Sequence, residues 1–381
     1  MKTSAFYGKR FKLGVLGGGQ LGRMLQQPAI SLDIDVHFLD PAPDAPCSTL
    51  STGFVVGDFN DYQTVMDFGK DKDMITIEIE NVNVKALEDL EKQGVAVCPS
   101  PKHLHIIKDK GLQKQFYANN NIPSSNFTLI ESKAALSPTN LPVVQKLRTG
   151  GYDGKGVQVL MNEHDLAQAF DGPCVLEALV DIEKELSVIV ARNKSGEVAV
   201  YPTVELVFNP EANLVDFLLS PASITQEQEN SAKELAMKVV EAMDFVGILA
   251  VEMFLDKTGN VLVNEVAPRT HNSGHQTIEA NYTSQFEQHL RAILNLPLGD
   301  PSLRCPSAMI NLLGEKGHAG PVVYEGMNEV LAMPKVYPHL YGKTSTKPFR
   351  KMGHVTVLGE SIDEVKRNAK SLQSSIRVIS E

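Results

Sequence analysis

The sequence predicts a mixed α/β and α+β protein of three domains. They are an N-terminal parallel α/β domain over residues 1–107, a small domain over 108–185 and a C-terminal α+β domain over 186–381. Three observations lead there. Strand-like and helix-like stretches alternate through the first hundred residues, which implies parallel strands with helices on the sheet faces. A glycine-rich loop then interrupts a short run of strands. The last third holds an acidic hairpin and a strand-rich tail.

Each element has a local reason. Phe11–Leu16 is a short apolar run, followed by Gly17-Gly18-Gly19 and by helical spacing over 21–32. Residues 36–39 form a second strand ending at Asp40, 74–79 another, and 84–93 a helix before a strand at 95–98. Ser100-Pro101 opens a helix that runs to about Asn120, where Asn119-Asn120-Asn121-Ile122-Pro123 ends it. The middle segment reads as strands at 143–147, 157–160 and 174–177, with a helix near 163–170. Beyond it, strands are expected at 186–191, 198–201, 214–219, 248–255 and 261–266, with an amphipathic helix over 226–243. The tail over 308–357 is strand-rich and ends in a helix near 362–373.

Composition narrows the function classes. With 43% hydrophobic and 22% charged residues the chain is an ordinary globular protein able to bury its own core. A net charge of −10 without a basic run argues against sequence-independent nucleic-acid binding, though a few local cations can still hold a small anion. Cys47, Cys98, Cys174 and Cys305 are widely spaced, so neither a zinc site nor a disulfide framework is expected. The start of the chain is polar and its first apolar run is strand-sized. Neither signal peptide nor membrane span is expected, and a reducing, cytoplasmic compartment is.

Three motifs carry chemistry. Gly17-Gly18-Gly19-Gln20-Leu21-Gly22 fits G-x-G-x-x-G between strand and helix, with Asp40 roughly 20 residues on, as in a dinucleotide fold. The physics beneath it is anion binding at a helix N-terminus, which does not by itself select NAD. The second motif, Lys146-Leu147-Arg148-Thr149-Gly150-Gly151-Tyr152-Asp153-Gly154-Lys155-Gly156, is a flexible hairpin loop able to fold over phosphates, with Lys146 and Lys155 as point charges. The third is the acidic hairpin. A loop over 257–260 places Glu252 opposite Glu265, about 5 Å apart at the β-carbons, a pair that needs a cation between its carboxylates. A five-residue loop places Glu252 opposite Asn264 instead, and both registers are open. Oxygen ligands of this kind suit Mg²⁺. Arg269 follows closely, where it can stabilise a phosphoryl oxyanion, and His271 and His275 read as general bases or as ordinary polar loop residues.

Together the strings GGGQLGRM, GGYDGKG, NEVAPRTHNSGH and YGKTSTKPFRKMGH, over about residues 12–358, resemble the 5-(carboxyamino)imidazole ribonucleotide synthase family of the ATP-grasp superfamily. The resemblance implies an ATP-grasp fold with a pre-ATP-grasp domain and an ATP lid. It implies carboxylation of 5-aminoimidazole ribonucleotide in purine biosynthesis with ATP, bicarbonate and Mg²⁺ (or Mn²⁺), and a homodimer. Position by position it places Lys108, Lys146 and the loop Gly151, Tyr152, Asp153, Gly154, Lys155 and Gly156 on the ATP phosphates. Glu177, Ala178, Leu179 and Val180 would line the adenine site, with Glu185 on the ribose and Asn264 beside the nucleotide. Glu252 and Glu265 would hold the metal. Gln20, Glu78, Tyr152, Asp153, Arg269, Lys343, Arg350 and Lys351 would face the ribonucleotide or bicarbonate, and Arg269, Lys155, Asp153 and His271 would form the catalytic set. The first glycine loop would then serve the substrate's phosphate. One departure stands out: the family's expected histidine within 201–209 is absent, and Glu205 is the candidate substitute. The rival readings are another ATP-grasp carboxylase or formyl-transferring ligase, an NAD-dependent oxidoreductase, and an inactive scaffold.

Overall fold

The computed structural model describes residues 10–51, 53–151, 155–209 and 214–381, so Tyr152, Asp153 and Gly154 lie outside the described residues. The first sheet is wholly parallel, in the order β3-β2-β1-β4-β5, from β1 (Phe11–Leu16), β2 (Ile34–Asp40), β3 (Gly53–Val56), β4 (Met74–Ile77) and β5 (Ala96–Val97). Helix α1 (Gln20–Ser31) covers one face through Leu21, Met24 and Leu25 against Leu13, Val15 and Phe38. Helices α2 (Tyr62–Gly69) and α3 (Val84–Lys92) cover the other, with Phe68, Leu87 and Leu90 against Leu16, Ile75 and Ile77. Both faces are buried, which is why the strands read as unbroken apolar runs.

The single helix expected over 100–120 is two, α4 (Pro101–Ile107) and α5 (Lys110–Asn119). Asp109 makes the break, its carboxylate accepting the N–H groups of Gly111 and Leu112 as an N-cap. Ile107, Tyr117 and Ile122 pack into the core of the large sheet described below. The small sheet is antiparallel, in the order β6-β9-β7-β8, from β6 (Phe127–Ile130), β7 (Val143–Leu147), β8 (Val157–Leu160) and β9 (Cys174–Ala178). Between β8 and β9 the expected helix is a 3₁₀ segment, Glu163–Gln168, capped by Asn162.

A large antiparallel sheet forms the rest. It is built from β10 (Ile182–Arg192), β11 (Val198–Val200), β12 (Val204–Asn209), β13 (Leu214–Ser220), β14 (Gly247–Asp256), β15 (Val261–Ala267) and β16 (Ser307–Leu313). The tail adds β17 (Gly320–Glu325), β18 (Val336–Leu340), β19 (Ser345–Thr346), β20 (Lys351–Leu358) and β21 (Arg377–Ser380). The order β15-β14-β10-β12-β13-β16-β20-β18 shows that β13 joins the tail strands to the acidic hairpin in one sheet, while β17, β19 and β21 pair separately. Helix α6 (Gln226–Met243) covers one face of β10, β14 and β15. Short α7 (Thr277–Ala280) and α8 (Gln285–Ile293) lie between hairpin and tail, and α8 reaches the first sheet through Phe286 and Leu290. Helices α9 (Met327–Ala332) and α10 (Ile362–Ser375) close the tail. Among the described residues no helix is long and apolar enough to cross a membrane.

Two β-bulges aim site residues. On β15 the pairing runs Leu255↔Val261, Phe254↔Leu262 and Met253↔Val263, then shifts to Glu252↔Glu265. Val261, Val263 and Val266 all enter the core beneath α6, so Asn264 and Glu265 leave by the opposite face together. Strict alternation from Val263 would have driven Glu265 into hydrocarbon. On β20 the pairing shifts between Leu312↔Gly353 and Leu313↔Lys351. Met352 joins Val355 and Val357 in their apolar cluster, and Lys351 is carried to the face of His354.

Candidate active site

The N-terminal glycine turn is filled by the protein's own acid. Gly19 N–H donates to Glu78 Oε2 at 2.5 Å and Leu21 N–H to Glu78 Oε1 at 2.9 Å, while Gly18 N–H donates to Asp40 Oδ2 at 2.8 Å. The glycines are needed for this approach: a Cβ on Gly19 would lie 2.5 Å from Glu78 Oε1, and Gly17 has φ +105°. Burial raises the Glu78 carboxyl above its ordinary range against the lowering effect of those N–H groups. This corrects the expectation of a phosphate loop here, and equally removes the NAD reading. The helix N-terminus already holds a carboxylate, and a second anion would meet no open donors at Gly18, Gly19 or Leu21. Gln20 stands half-buried beside the turn.

The hairpin resolves the two registers in an unforeseen way. Its tip follows the five-residue register, and the bulge at Asn264 then restores Glu252 to its place opposite Glu265. Glu185 shares this face, because Ser187 lies opposite Glu252 and Glu185 is two residues away on β10. Burial, then Glu265 and Glu185, push Glu252 up to about 8. Burial likewise takes Glu185 to about 7, with Lys146 opposing and Glu265 adding to the rise. Glu265 behaves oppositely: burial raises it, but Lys110, Lys146 and Arg269 outweigh that and the net shift is downward. Its side chain keeps 40% of its exposure, so the carboxylate remains accessible.

Cations converge on these acids. The Lys146 ammonium on β7 lies 3.0 Å from Glu177 Oε1 and 2.9 Å from Asn264 Oδ1. Lys114 lies 3.1 Å from Glu177 Oε2, and Ser125 Oγ donates to the same oxygen at 2.5 Å. Lys110 pairs with Glu265. Lys110 and Lys114 were missed in the sequence, although an i, i+4 lysine pair directly after the Asp109 cap was a usable signal. The Lys108 ammonium, at the end of α4, donates to the Val82 carbonyl at 2.8 Å and lies near Glu80, the partner of Arg269, and its contact with the ATP phosphates remains part of the proposal. Glu177 is turned inward at 3% exposure, and it is Ala178, Leu179 and Val180 that line a cleft of about 390 Å³ with Ser125 and Leu262. At the mouth of the second glycine loop Leu147 N–H donates to the Gly156 carbonyl at 2.8 Å, Gly156 has φ +78°, and a Cβ on Gly151 would lie 2.8 Å from the Lys155 carbonyl. Lys155 itself is exposed.

Arg269 Nε stands 2.8 Å from Glu80 Oε1, and its Nη1 donates to the Thr270 carbonyl at 3.0 Å. His271 Nε2 is 3.2 Å from Glu252 Oε1 and Nδ1 is 2.9 Å from Ser273 Oγ. Burial, with Arg269 and Lys351 nearby, holds His271 well below the ordinary imidazole range. Lys351 acts on both Glu252 and His271, so the basic tail loop faces the acidic hairpin. In that loop Lys343 Nζ donates to the Lys351 carbonyl at 2.7 Å and Arg350 Nη1 to the Ser345 carbonyl at 2.7 Å. Glu205 does not join the site. Opposite Leu186 on β12 it occupies the α6 face of the sheet, where Lys184 Nζ meets it at 2.9 Å.

Comparison with known proteins gives the family. Residues 11–108 match the ribonucleotide synthetase preATP-grasp domain, 115–286 the ATP-grasp domain and 307–368 the phosphoribosylaminoimidazole carboxylase C-terminal domain. The N5-carboxyaminoimidazole ribonucleotide synthase of Bacillus subtilis is 37% identical, over 92% of this chain and 92% of its own. The chloroplastic phosphoribosylaminoimidazole carboxylase of Vigna aconitifolia is 41% identical over 93% of this chain, which spans 65% of the plant protein's length. The crystal structure of the synthetase from Thermotoga maritima superposes with TM-score 0.91 at 43% identity, covering 97% of this chain and 100% of that one. The Aspergillus clavatus enzyme in complex with ADP and 5-aminoimidazole ribonucleotide gives 0.87 at 34% identity, covering 96% and 98%. The chain is an ATP-grasp ligase and belongs to the N5-carboxyaminoimidazole ribonucleotide synthase family.

Proposed function

We propose that this protein carboxylates the amine of 5-aminoimidazole ribonucleotide at the cleft between the acidic hairpin and the basic tail loop, with ATP and bicarbonate as co-substrates. The observation that supports it most is the meeting of two sets of groups at the acidic hairpin. Glu252, Glu265, Asn264, Lys110 and Lys146 form one side of the site and Arg269, His271 and Lys351 the other, with His271 Nε2 3.2 Å from Glu252 Oε1. A nucleoside triphosphate suits the first side and a phosphorylated amine the second.

In the proposed reaction a bicarbonate oxygen attacks the γ-phosphorus and the bond to the bridging oxygen of ADP breaks, giving carboxyphosphate. The amine nitrogen then attacks the carboxyl carbon, phosphate departs with the C–O bond electrons, and the nitrogen gives up a proton. Lys108, Lys146, Lys110 and the loop Gly151–Gly156 would hold the ATP phosphates, and Ala178, Leu179 and Val180 the adenine. Glu177 acts through Lys114 and Lys146. Arg269 would stabilise the bicarbonate and carboxyphosphate charge. Neutral His271 is the proposed proton acceptor, and Asp153 and Lys155 complete the catalytic set from the loop. Lys343, Arg350 and Lys351 would hold the ribonucleotide phosphate, with Glu78 and Gln20 towards its aminoimidazole.

The donor set fits a hard divalent cation such as Mg²⁺ or Mn²⁺: two opposed carboxylates and an amide oxygen, with Glu252 driven up to about 8 by burial and then by its acidic neighbours Glu265 and Glu185. Among the described residues no cluster of three or more His, Cys, Asp or Glu side chains is arranged for a metal, so substrate phosphates would supply the remaining ligands. When bound, the ion would neutralise phosphate charge between Glu252 and Glu265. The unpaired cysteines support a reducing, cytoplasmic setting. The homodimer implied by the resemblance belongs to the same proposal and is tested by sedimentation velocity.

The test is ADP release from Mg-ATP, with and without bicarbonate and with and without the ribonucleotide. Release that requires the ribonucleotide and yields a bicarbonate-labelled, acid-labile product is expected. Release indifferent to that amine would overturn the substrate assignment.

A further inference from the structure

Two loops bring the second side of the site together, and a row of imidazoles, His275 and His354 buried and His339 half-buried, stands where they meet. The first loop follows β15 and carries Arg269 and His271 before ending at His275. The second runs from Tyr341 to Arg350, carries Lys343 and Arg350, and passes Lys351 into β20. His354 lies on the Lys351 face of β20 and is fully buried. Its ring stacks on His339 at 4.4 Å with 10° between planes, and faces His275 at 4.8 Å. His354 Nδ1 is 2.9 Å from the Tyr341 hydroxyl, while Tyr341 N–H donates to the Met352 carbonyl at 3.1 Å, so the base of the basic loop is tied shut at both ends. His339 Nε2 is anchored 2.7 Å from Glu279 Oε1 on α7. A reciprocal amide pair, Asn272 with Asn311 at 2.8 and 3.1 Å, joins the first loop to the strand position opposite His354.

None of these groups is used by the proposed chemistry. A purely space-filling role would not favour histidine, because His354 Nε2 is buried without a hydrogen-bond partner and phenylalanine would fill the same place. Burial and the neighbouring imidazoles His275 and His339 keep His354 well below the ordinary range, so Nδ1 can accept from Tyr341 at neutral pH.

We propose that His354 is a positioning residue. Through Tyr341 and His275 it sets the spacing between the loop of Arg269 and His271 and the loop of Lys343, Arg350 and Lys351, and so governs capture of the phosphorylated amine but not of ATP. This rests on the reading that the basic loop receives the ribonucleotide phosphate.

The experiment measures KM for ATP and for 5-aminoimidazole ribonucleotide in full-length wild type, Tyr341→Phe, His354→Phe and His354→Asn. Tyr341→Phe and His354→Phe are expected to raise the ribonucleotide KM roughly tenfold, the effect of one lost buried hydrogen bond, with the ATP KM unchanged. His354→Asn keeps an acceptor near the Nδ1 position and is expected to recover most of the loss. An unchanged ribonucleotide KM, or an equal rise in both, would overturn the proposal. Should His354→Phe fail to fold, Tyr341→Phe, which removes a single oxygen, decides alone. Wild type whose ADP release ignores the ribonucleotide would instead overturn the functional reading beneath it.

Discussion

Replacing Glu177 by glutamine removes one negative charge from between two ammonium groups. Lys114, Lys146 and Glu177 are 2%, 7% and 3% exposed, and the N–O distances are 3.1 and 3.0 Å. At an effective dielectric constant near 20 each contact carries roughly 5 kcal/mol of gross attraction, most of it offset by desolvation. What survives in a variant is the penalty of leaving buried charge unpaired, about 3–5 kcal/mol. Lys114 is the weaker member, since burial has already lowered it to about 8 against the pull of Glu177. Urea unfolding followed by far-UV circular dichroism should therefore show Glu177→Gln destabilised by about 3–5 kcal/mol, a large share of a typical total. Adding Lys114→Met should recover at least about half of that, because the least tolerable charge is gone. Mg-ADP affinity should fall in Glu177→Gln, as Lys146 loses one of its two anchors. A variant within about 1 kcal/mol of wild type, with no effect of the second substitution, would refute the triad as a neutralised unit.

Other expectations follow from the same geometry. Glu265→Gln should lose metal-dependent turnover by roughly a hundredfold or more while keeping its far-UV spectrum, and retained magnesium-dependent turnover would remove Glu265 from the metal pair. Saturating Mg-ATP should slow tryptic cleavage at Lys155, as the sheet over 127–178 closes on the phosphates; an unchanged cleavage rate would count against a closing lid. Acid stability should report His289, whose Nε2 lies 3.0 Å from Thr76 Oγ1 and which burial lowers to about 4. The unfolded imidazole takes its proton first as pH falls through about 6.5, so stability is intact above that value. It drops by about 1.4 kcal/mol per unit down to about 4. His289→Gln should flatten that part of the urea-midpoint profile, and an unaltered slope would assign it to other groups.

Much of the fold was legible because its signals are local. Val143–Leu147, Val157–Leu160 and Gln226–Met243 stand where apolar spacing and turn residues placed them. Residues 53–56 were missed because the apolar run of this edge strand, Phe54-Val55-Val56, is only three residues long and leaves Val55 and Val56 exposed. The split between α4 and α5 turned on one capping aspartate inside a continuous helical pattern. Both bulges were written in the sequence as a step of three between core residues, Val263 to Val266 and Met352 to Val355, where a strand steps by two. The acids of the site could be found because carboxylates inside apolar strands are conspicuous. Their cation partners were harder: Lys110 and Lys114 sit on an ordinary helix face, and only the packing of α5 across the large sheet brings them to Glu265 and Glu177. The glycine turn misled for a physical reason. Its backbone geometry is that of an anion site, and the anion proved to be Glu78, 59 residues from Gly19 in the chain.

The central claim is that bicarbonate is activated by phosphoryl transfer before the amine is carboxylated. Turnover with ¹⁸O-labelled bicarbonate, followed by ³¹P NMR of the released phosphate, tests it most directly. Transfer of a bicarbonate oxygen to phosphate, dependent on the ribonucleotide, is the predicted result. ADP release accompanied by unlabelled phosphate would mean that water attacks ATP, and would contradict the account.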